Sequence, residues 1–197
     1  MTEEALIRRG KLQALRDLGI DPYPTDIHRD TMCQEAHAWF ELQAADPKTV
    51  TLAGRILTIR VHGGMMFSDL ADESGKLQLV FKEDELADNL FGLFRDNIDP
   101  GDFVEATGSL MLTKRGEKSL KITSWRILTK ALLPLPEKWH GLKDVETRFR
   151  HRELDLLSNP EVKQRFLVRS KLVSSLRSFL DTRGFLEVET PMLQAIP

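Results

Sequence analysis

The chain has 197 residues, 41% of them hydrophobic and 29% charged, the size of one large or two small domains and a composition that excludes collagen-like, low-complexity and wholly disordered classes. No stretch approaches the ~20 apolar residues of a membrane span, the opening MTEEALIRRGK lacks the basic-then-apolar order of a signal peptide, and the single cysteine, Cys33, excludes an intrachain disulfide or a cysteine-rich zinc site. The net charge of −2 conceals a segregation: residues 69–105 hold eleven acids and three bases, whereas residues 109–130 hold Lys114, Arg115, Lys118, Lys121, Arg126 and Lys130 against Glu117 alone.

The first segment predicts a helix with Leu12, Leu15 and Leu18 near one face, stopped by Gly19 and by Pro22 and Pro24. Thr31 and Gln34 are spaced as a capping box for a second short helix running to about Leu42, in which Met32, Trp39 and Phe40 read as core. From Thr49 the period drops to two. VTLAGRILTIRV is a long strand, expected to bend at a bulge near Gly54; Gly63 and Gly64 turn the chain, MMFSDLAD is a second strand, and KLQLVF (76–81), after a turn at 73–75, is a third. EDELADNLFGLFRDN returns to helical spacing, with acids in its expected first turn. A turn at 99–102 precedes two further strands, FVEATGSLML and SLKITSWRIL, joined by a tip at 113–117.

Three strands, a helix and two strands is the order of an OB-fold, although periodicity leaves another small β-barrel open. Beyond it, ALLPLPEKWHGL reads as a linker; helical sequence from Asp144 is broken by Asn159–Pro160, a long helix runs from about Glu161 to Thr182, and FLEVETPML reads as a short strand ended by Pro191. The expected organisation is thus α+β: a helical extension (1–48), a barrel (49–130), a linker (131–143) and the incomplete start of a second domain (144–197). The second domain reads as incomplete because one helix and one strand cannot bury a core alone.

A barrel that binds single-stranded nucleic acid needs an aromatic to stack on a base, polar groups to read its edge and a basic rim for phosphate. Phe67 on the second strand, Arg60 at the end of the first and Gln78, alternating away from Leu77 and Leu79, are candidates for the first two roles. Glu117, one acid in a basic tip, reads as an acceptor for a base edge, and Lys114, Arg115 and Lys118 as phosphate contacts. The alternatives are a core phenylalanine, a solvated glutamine and lysines that guard a sheet edge. A phosphate-binding loop, an HExxH motif and a base for Cys33 are all missing, so catalytic residues are expected to be absent from this chain.

TKALLPLPEKWHGLKDVETRFRHRELDLL (129–157) and NPEVKQRFLVRSKLVSSLRSFLDTRGFLEVETPMLQAIP (159–197), with the KLQALRDLGIDPYP opening, resemble bacterial class II lysyl-tRNA synthetases along nearly the whole chain. The resemblance implies an OB-fold that binds the anticodon stem-loop of tRNA(Lys), with Phe67 stacking on the central uridine and Arg60, Gln78 and Glu117 reading base edges. It implies a cytoplasmic homodimeric enzyme with no membrane partner, which activates lysine with ATP and Mg²⁺ and charges tRNA(Lys). RGFLEVETPML resembles motif 1, with Gly184, Phe185 and Pro191 at the dimer interface, while the family's motifs 2 and 3 would lie beyond Pro197. By that reading the 197-residue piece holds no metal or cofactor and is inactive alone. The family carries a lysine after the glycine of its first loop, where this chain has Met65 after Gly64. A free-standing OB-fold, a dimerisation fragment and an aspartyl- or asparaginyl-type relative are the competing readings.

Overall fold

The structure, a computed structural model, describes residues 2–41, 48–87, 89–135 and 142–193. Two units divide the chain, residues 1–135 and 136–197. In the first, α1 (Glu3–Asp17) and α2 (Cys33–Glu41) precede β1 (Thr49–His62), β2 (Met65–Ala71) and β3 (Lys76–Lys82); α3 (Leu90–Asn97) then leads to β4 (Phe103–Leu112) and β5 (Lys118–Thr129). The strands close into a barrel in the order β1-β2-β3-β5-β4, with every pairing antiparallel except β3 with β5. This Greek-key closure with a helix between β3 and β4 is an OB-fold, which settles the choice left open by periodicity. Leu52, Ile56, Met66, Leu70, Leu79, Phe81, Val104 and Leu120 fill the interior. The α3 helix closes one end: Phe94 packs 4.3 Å from Phe81 and 4.9 Å edge-to-face from Trp125 between ring centroids, and Trp125 Nε1 donates to Leu90 O at 3.0 Å.

β1 closes the barrel by changing partners, pairing with β4 through residues 49–55 and with β2 through 55–62. The bulge expected at Gly54 lies two residues on, between Ile56 and Thr58. Gly54 serves a different need, close approach: a Cβ there would stand 2.4 Å from Ala71 O and 2.7 Å from a Leu70 methyl. Gly54→Ala is therefore expected to cost about 1–3 kcal/mol by overpacking against backbone, lowering the melting temperature by at least about 2 °C. A melting curve superimposable on wild type would contradict the clash.

Gly19 (φ +76°) ends α1 with two reversed bonds, Ile20 N to Leu15 O and Gly19 N to Arg16 O. The buried face of α1 is Ala5, Arg8 and Leu15; Leu18, expected on it, is at the C-cap and exposed. Arg8 donates to Pro100 O and Ala131 O, and Lys11 pairs with Asp99 at 2.6 Å, which ties α1 to the turn before β4 and the exit of β5. Residues 21–31 then strap the outer side of β1, β4 and β5. Tyr23 Oη donates to Lys130 O, Arg126 reaches both Asp26 and Glu105, and Asp30 and Thr31 donate from their backbone N–H groups to Thr51 O. The strap's bonds go to β1, β4 and β5 and leave out β1 beyond residue 58, β2 and β3; α2 packs on β3, with His37 Nε2 2.8 Å from Lys76 O.

Two helix starts differ from the sequence expectation. The box at α2 is formed by Met32 and Glu35, not Thr31 and Gln34: the Glu35 carboxylate accepts from Met32 N, while Asp72 and Ser74 of the β2–β3 turn accept from Cys33 N and Gln34 N. Tertiary acceptors thus move the start. The helix expected from residue 83 begins at Leu90 with no acid in its first turn; Glu83, Asp84 and Glu85 lie in the turn after β3, where Glu85 bonds to Lys82 and Lys121.

In the second unit α4 (Val145–Arg150), α5 (Arg152–Ser158) and α6 (Pro160–Asp181) follow the expected break at Asn159–Pro160, with a second break at His151. Asp155, fully buried, pairs with Arg148 and Arg152 and accepts from Asn159 Nδ2, which holds the α4–α5 turn together. Gly184 (φ +80°) ends α6 as Gly19 ends α1, through Phe185 N to Leu180 O. The strand expected over FLEVETPML is not formed. Residues 185–193 are irregular, because a strand requires a hydrogen-bonded neighbour and none pairs with them among the described residues. The linker residues 136–141 and the expected end of α2 beyond Glu41 fall outside the described residues.

Candidate nucleic-acid interface

Alternation places every second residue of β2, β3 and the start of β5 outward, since Met66, Ser68, Leu70, Leu77, Leu79, Phe81, Leu120 and Ile122 all point into the barrel. The register then aligns the outward residues in three cross-strand rows. The middle row runs Arg60, Phe67, Val80, Lys121. On one side lies Thr58, Asp69, Gln78, Ser119, and on the other His62, Met65, Lys82. Phe67 is half-buried and stands opposite Arg60 of β1 and Val80 of β3. An inward core position, the alternative reading for Phe67, is excluded by the burial of Met66 and Ser68 on either side of it.

The polar groups around the ring are oriented. Arg60 Nη2 stands 3.5 Å from Asp69 Oδ1, and the other Asp69 oxygen accepts from Thr58 Oγ1. Gln78 faces outward; its Oε1 is 3.1 Å from Ser119 Oγ, which is also 3.2 Å from Glu117 O, so one buried hydroxyl links the glutamine to the hairpin tip. Glu117 itself is exposed, its N–H donating to Thr113 Oγ1 at 3.0 Å. Arg60, Phe67 and Gln78 thus share one surface. Glu117 joins it through the backbone that leads into Ser119. The strand pairings also bring in Asp69, Ser119 and Lys121, which sequence reasoning missed.

Charge on this side is narrower than composition suggests. Of the six cations in 109–130, Lys121 pairs with Glu85, Arg126 with Glu105 and Asp26, and Lys130 is wholly buried against Asp99 and Asp102. Lys114 and Arg115 are exposed at the tip, and the Lys118 ammonium lies 5.9 Å from the Phe40 ring centroid. The basic strip is therefore a basic hairpin tip. Hydrogen bonds from Lys82 and Lys121 hold the Glu85 carboxyl below its ordinary range. Burial pushes the Cys33 thiol up to about 12, which removes it as a nucleophile at neutral pH. Gly184, Phe185 and Pro191 lie in the second unit, Phe185 largely exposed after α6. Phe166, Val173, Leu176 and Leu180 are exposed along α6.

Residues 50–128 match the family described as an OB-fold nucleic acid binding domain, and residues 144–197 match tRNA synthetases class II (D, K and N). The chain is 45% identical to a lysine–tRNA ligase of Syntrophomonas wolfei over all of its length and 39% of that protein's. It is 48% identical to one of Roseiflexus castenholzii over 96% of the chain and 39% of the relative, and 47% identical to one of Dehalococcoides mccartyi over 93% and 38%. The chain thus spans about two fifths of the relatives it matches. An OB-fold barrel, a class II synthetase region after it and this identity along nearly every residue leave one assignment: the chain belongs to the class II lysyl-tRNA synthetase family.

Proposed function

We propose that the outer face of β1 (58–62), β2 and β3, with the β4–β5 hairpin tip, binds the anticodon stem-loop of tRNA(Lys). Phe67 stacks on the central base, Arg60, Gln78 and Glu117 contact its edge, and Lys114, Arg115 and Lys118 meet the flanking phosphates. The observation that carries this reading is the cross-strand row Arg60–Phe67–Val80–Lys121, with Arg60 exposed and Phe67 half-buried on the outer face of the barrel. Stacking is insensitive to base identity, so discrimination falls to the edge contacts. The guanidinium of Arg60, steadied by Asp69, is a donor for a carbonyl oxygen; the Gln78 amide offers both donor and acceptor; the Glu117 carboxylate accepts an imino N–H. A uridine presents that combination, two carbonyls and an N–H, whereas cytidine replaces the N–H with an acceptor.

In the whole enzyme the reaction would be activation of lysine by ATP with Mg²⁺ and its transfer to the terminal ribose of tRNA(Lys), in a cytoplasmic homodimer to which Gly184, Phe185 and Pro191 contribute. Among the described residues no group of three or more His, Cys, Asp or Glu is placed to hold a metal ion, and no step at ATP is assigned to them. No described helix is long and apolar enough to cross a membrane.

The test is base preference. Titrating the chain with stem-loops that differ only in a central uridine or cytidine should show tighter binding of uridine. Arg60→Ala, Gln78→Ala and Glu117→Ala should each erode that ratio, since one lost edge contact is worth about 1–3 kcal/mol of discrimination. Equal affinity of the wild-type chain for the two loops would refute edge reading.

A further inference from the structure

One carboxylate at the border of the platform is gripped by two ammonium groups from different strands. Lys82, in the outward row beside Phe67's, places Nζ 2.5 Å from Glu85 Oε1, and Lys121, in Phe67's own row, places Nζ 2.9 Å from Glu85 Oε2. Each oxygen of a single anion thus receives one lysine. Glu85 comes from the turn after β3, not from a strand, and its N–H donates to Lys82 O, so the anion can swing away without disturbing the barrel. An open depression lined by Gly64, Met65, Lys82, Glu83 and Asp84 adjoins the cluster. The three side chains are about one-third exposed, which leaves them in water where ion pairs exchange readily.

We propose that Glu85 is an internal stand-in for one backbone phosphate. In the free protein it occupies the Lys82–Lys121 pair; when a base stacks on Phe67, a phosphate of the same strand takes its place and the carboxylate turns to solvent. The inference rests on the nucleic-acid reading of the platform. It assigns to Lys121 and Lys82 a binding role additional to the hairpin tip, and to Glu85 a selective one. A strand that only brushes the basic surface must displace an anion, a cost offset when its base also stacks. Lys82, Lys121 and Glu85 alone sum to +1, and Glu83 and Asp84 of the same turn bring the sum to −1; removing the Glu85 carboxylate raises either sum by one, which strengthens binding to every strand and narrows the gap between stacked and unstacked ones.

The experiment compares wild type, Glu85→Gln, Lys121→Ala, the double variant and Phe67→Ala in the full 197-residue chain. The probes are an anticodon stem-loop and the same loop with an abasic central nucleotide, each at two salt concentrations. Glu85→Gln should bind both loops roughly two- to five-fold tighter at low salt, the range of an exposed ion pair. Its log–log salt slope should steepen by up to about 0.7, one added single-strand phosphate. Lys121→Ala should do the reverse, and Glu85→Gln should gain little once Lys121 is gone. Weaker or unchanged binding by a Glu85→Gln chain with wild-type melting overturns the stand-in. If in that case Phe67→Ala still weakens the intact loop but not the abasic one, the platform reading survives. A Phe67→Ala chain that binds both loops as wild type does removes the platform, and the stand-in with it.

Discussion

Lys130→Met is expected to destabilise the barrel unit by about 3–5 kcal/mol, the cost of leaving a buried charge without its partner. The ammonium of Lys130 has no exposure and donates to Asn97 O at 2.8 Å, Asp99 Oδ2 at 2.6 Å and Asp102 Oδ2 at 2.7 Å. Asp102 is equally buried and accepts from Asp99 N and Ala131 N, while Asp99 also holds Lys11 of α1. Methionine fills the volume but leaves the buried Asp102 carboxylate without its cation, and Asp99 with Lys11 alone. With a urea dependence of about 1–3 kcal/mol per molar, the unfolding midpoint should fall by more than about 1 M. Adding Asp102→Asn, which removes one of the stranded charges and keeps an acceptor, should recover part of the loss. A midpoint within about 0.3 M of wild type would show that the network is solvated and weak. The same network makes stability acid-sensitive. Burial raises the Asp99 carboxyl, but hydrogen bonds from Lys11 and Lys130 outweigh it and the folded value lies below the ordinary 3.8. A depressed carboxyl stabilises the fold fully above its unfolded pKa, so this contribution is constant at neutral pH and is lost as pH falls through the lower folded value. Lys130→Met should flatten that acid limb.

Lys130 also marks where the sequence was silent. Counted by charge it belongs to a basic strip; only the fold reveals that it, Arg126 and Lys121 are spent on Asp99, Asp102, Glu105, Asp26 and Glu85, all distant in sequence. Features set by neighbours along the chain were legible: the five strands, the stops at Gly19 and Gly184, and the outward phase of Gln78, which follows from alternation with Leu77 and Leu79; the phase of Phe67 was not, since MMFSDLAD left a core phenylalanine open. The β1–β2 turn even sets Arg60 against Phe67, a register that puts Asp69 on the diagonal and could have exposed it as the partner of Arg60. Lys121 and Ser119 could not be found that way. They reach the platform through the parallel β3–β5 pairing, which no turn connects and which exists only once the barrel closes. The start of α2 was hidden for a related reason, since the acceptors that cap it come from the β2–β3 turn.

Phe67→Ala is expected to weaken binding of the anticodon stem-loop by about 1–3 kcal/mol, the worth of one base–aromatic stack. The ring stands outward between Arg60 and Val80, so its removal opens no cavity in the barrel core, and the melting transition should move little. Val80, buried at 1% exposure under the outer face, would become partly exposed, which gives a small and measurable cost distinct from the binding loss. Because a stack neutralises no phosphate, the log–log salt slope should match wild type. Lys114→Ala, at the exposed tip, should show the opposite pattern: a smaller loss that is similar for every loop sequence, and a slope shallower by about 0.7 if the ammonium meets a single-strand phosphate. The two variants therefore separate the stacking and charge contributions on the same pair of titrations. A folded Phe67→Ala chain with wild-type affinity would leave the ring as no more than cover for Val80. A chain that loses affinity together with salt slope would mean that the ring positions Arg60 on phosphate and does not carry a base itself.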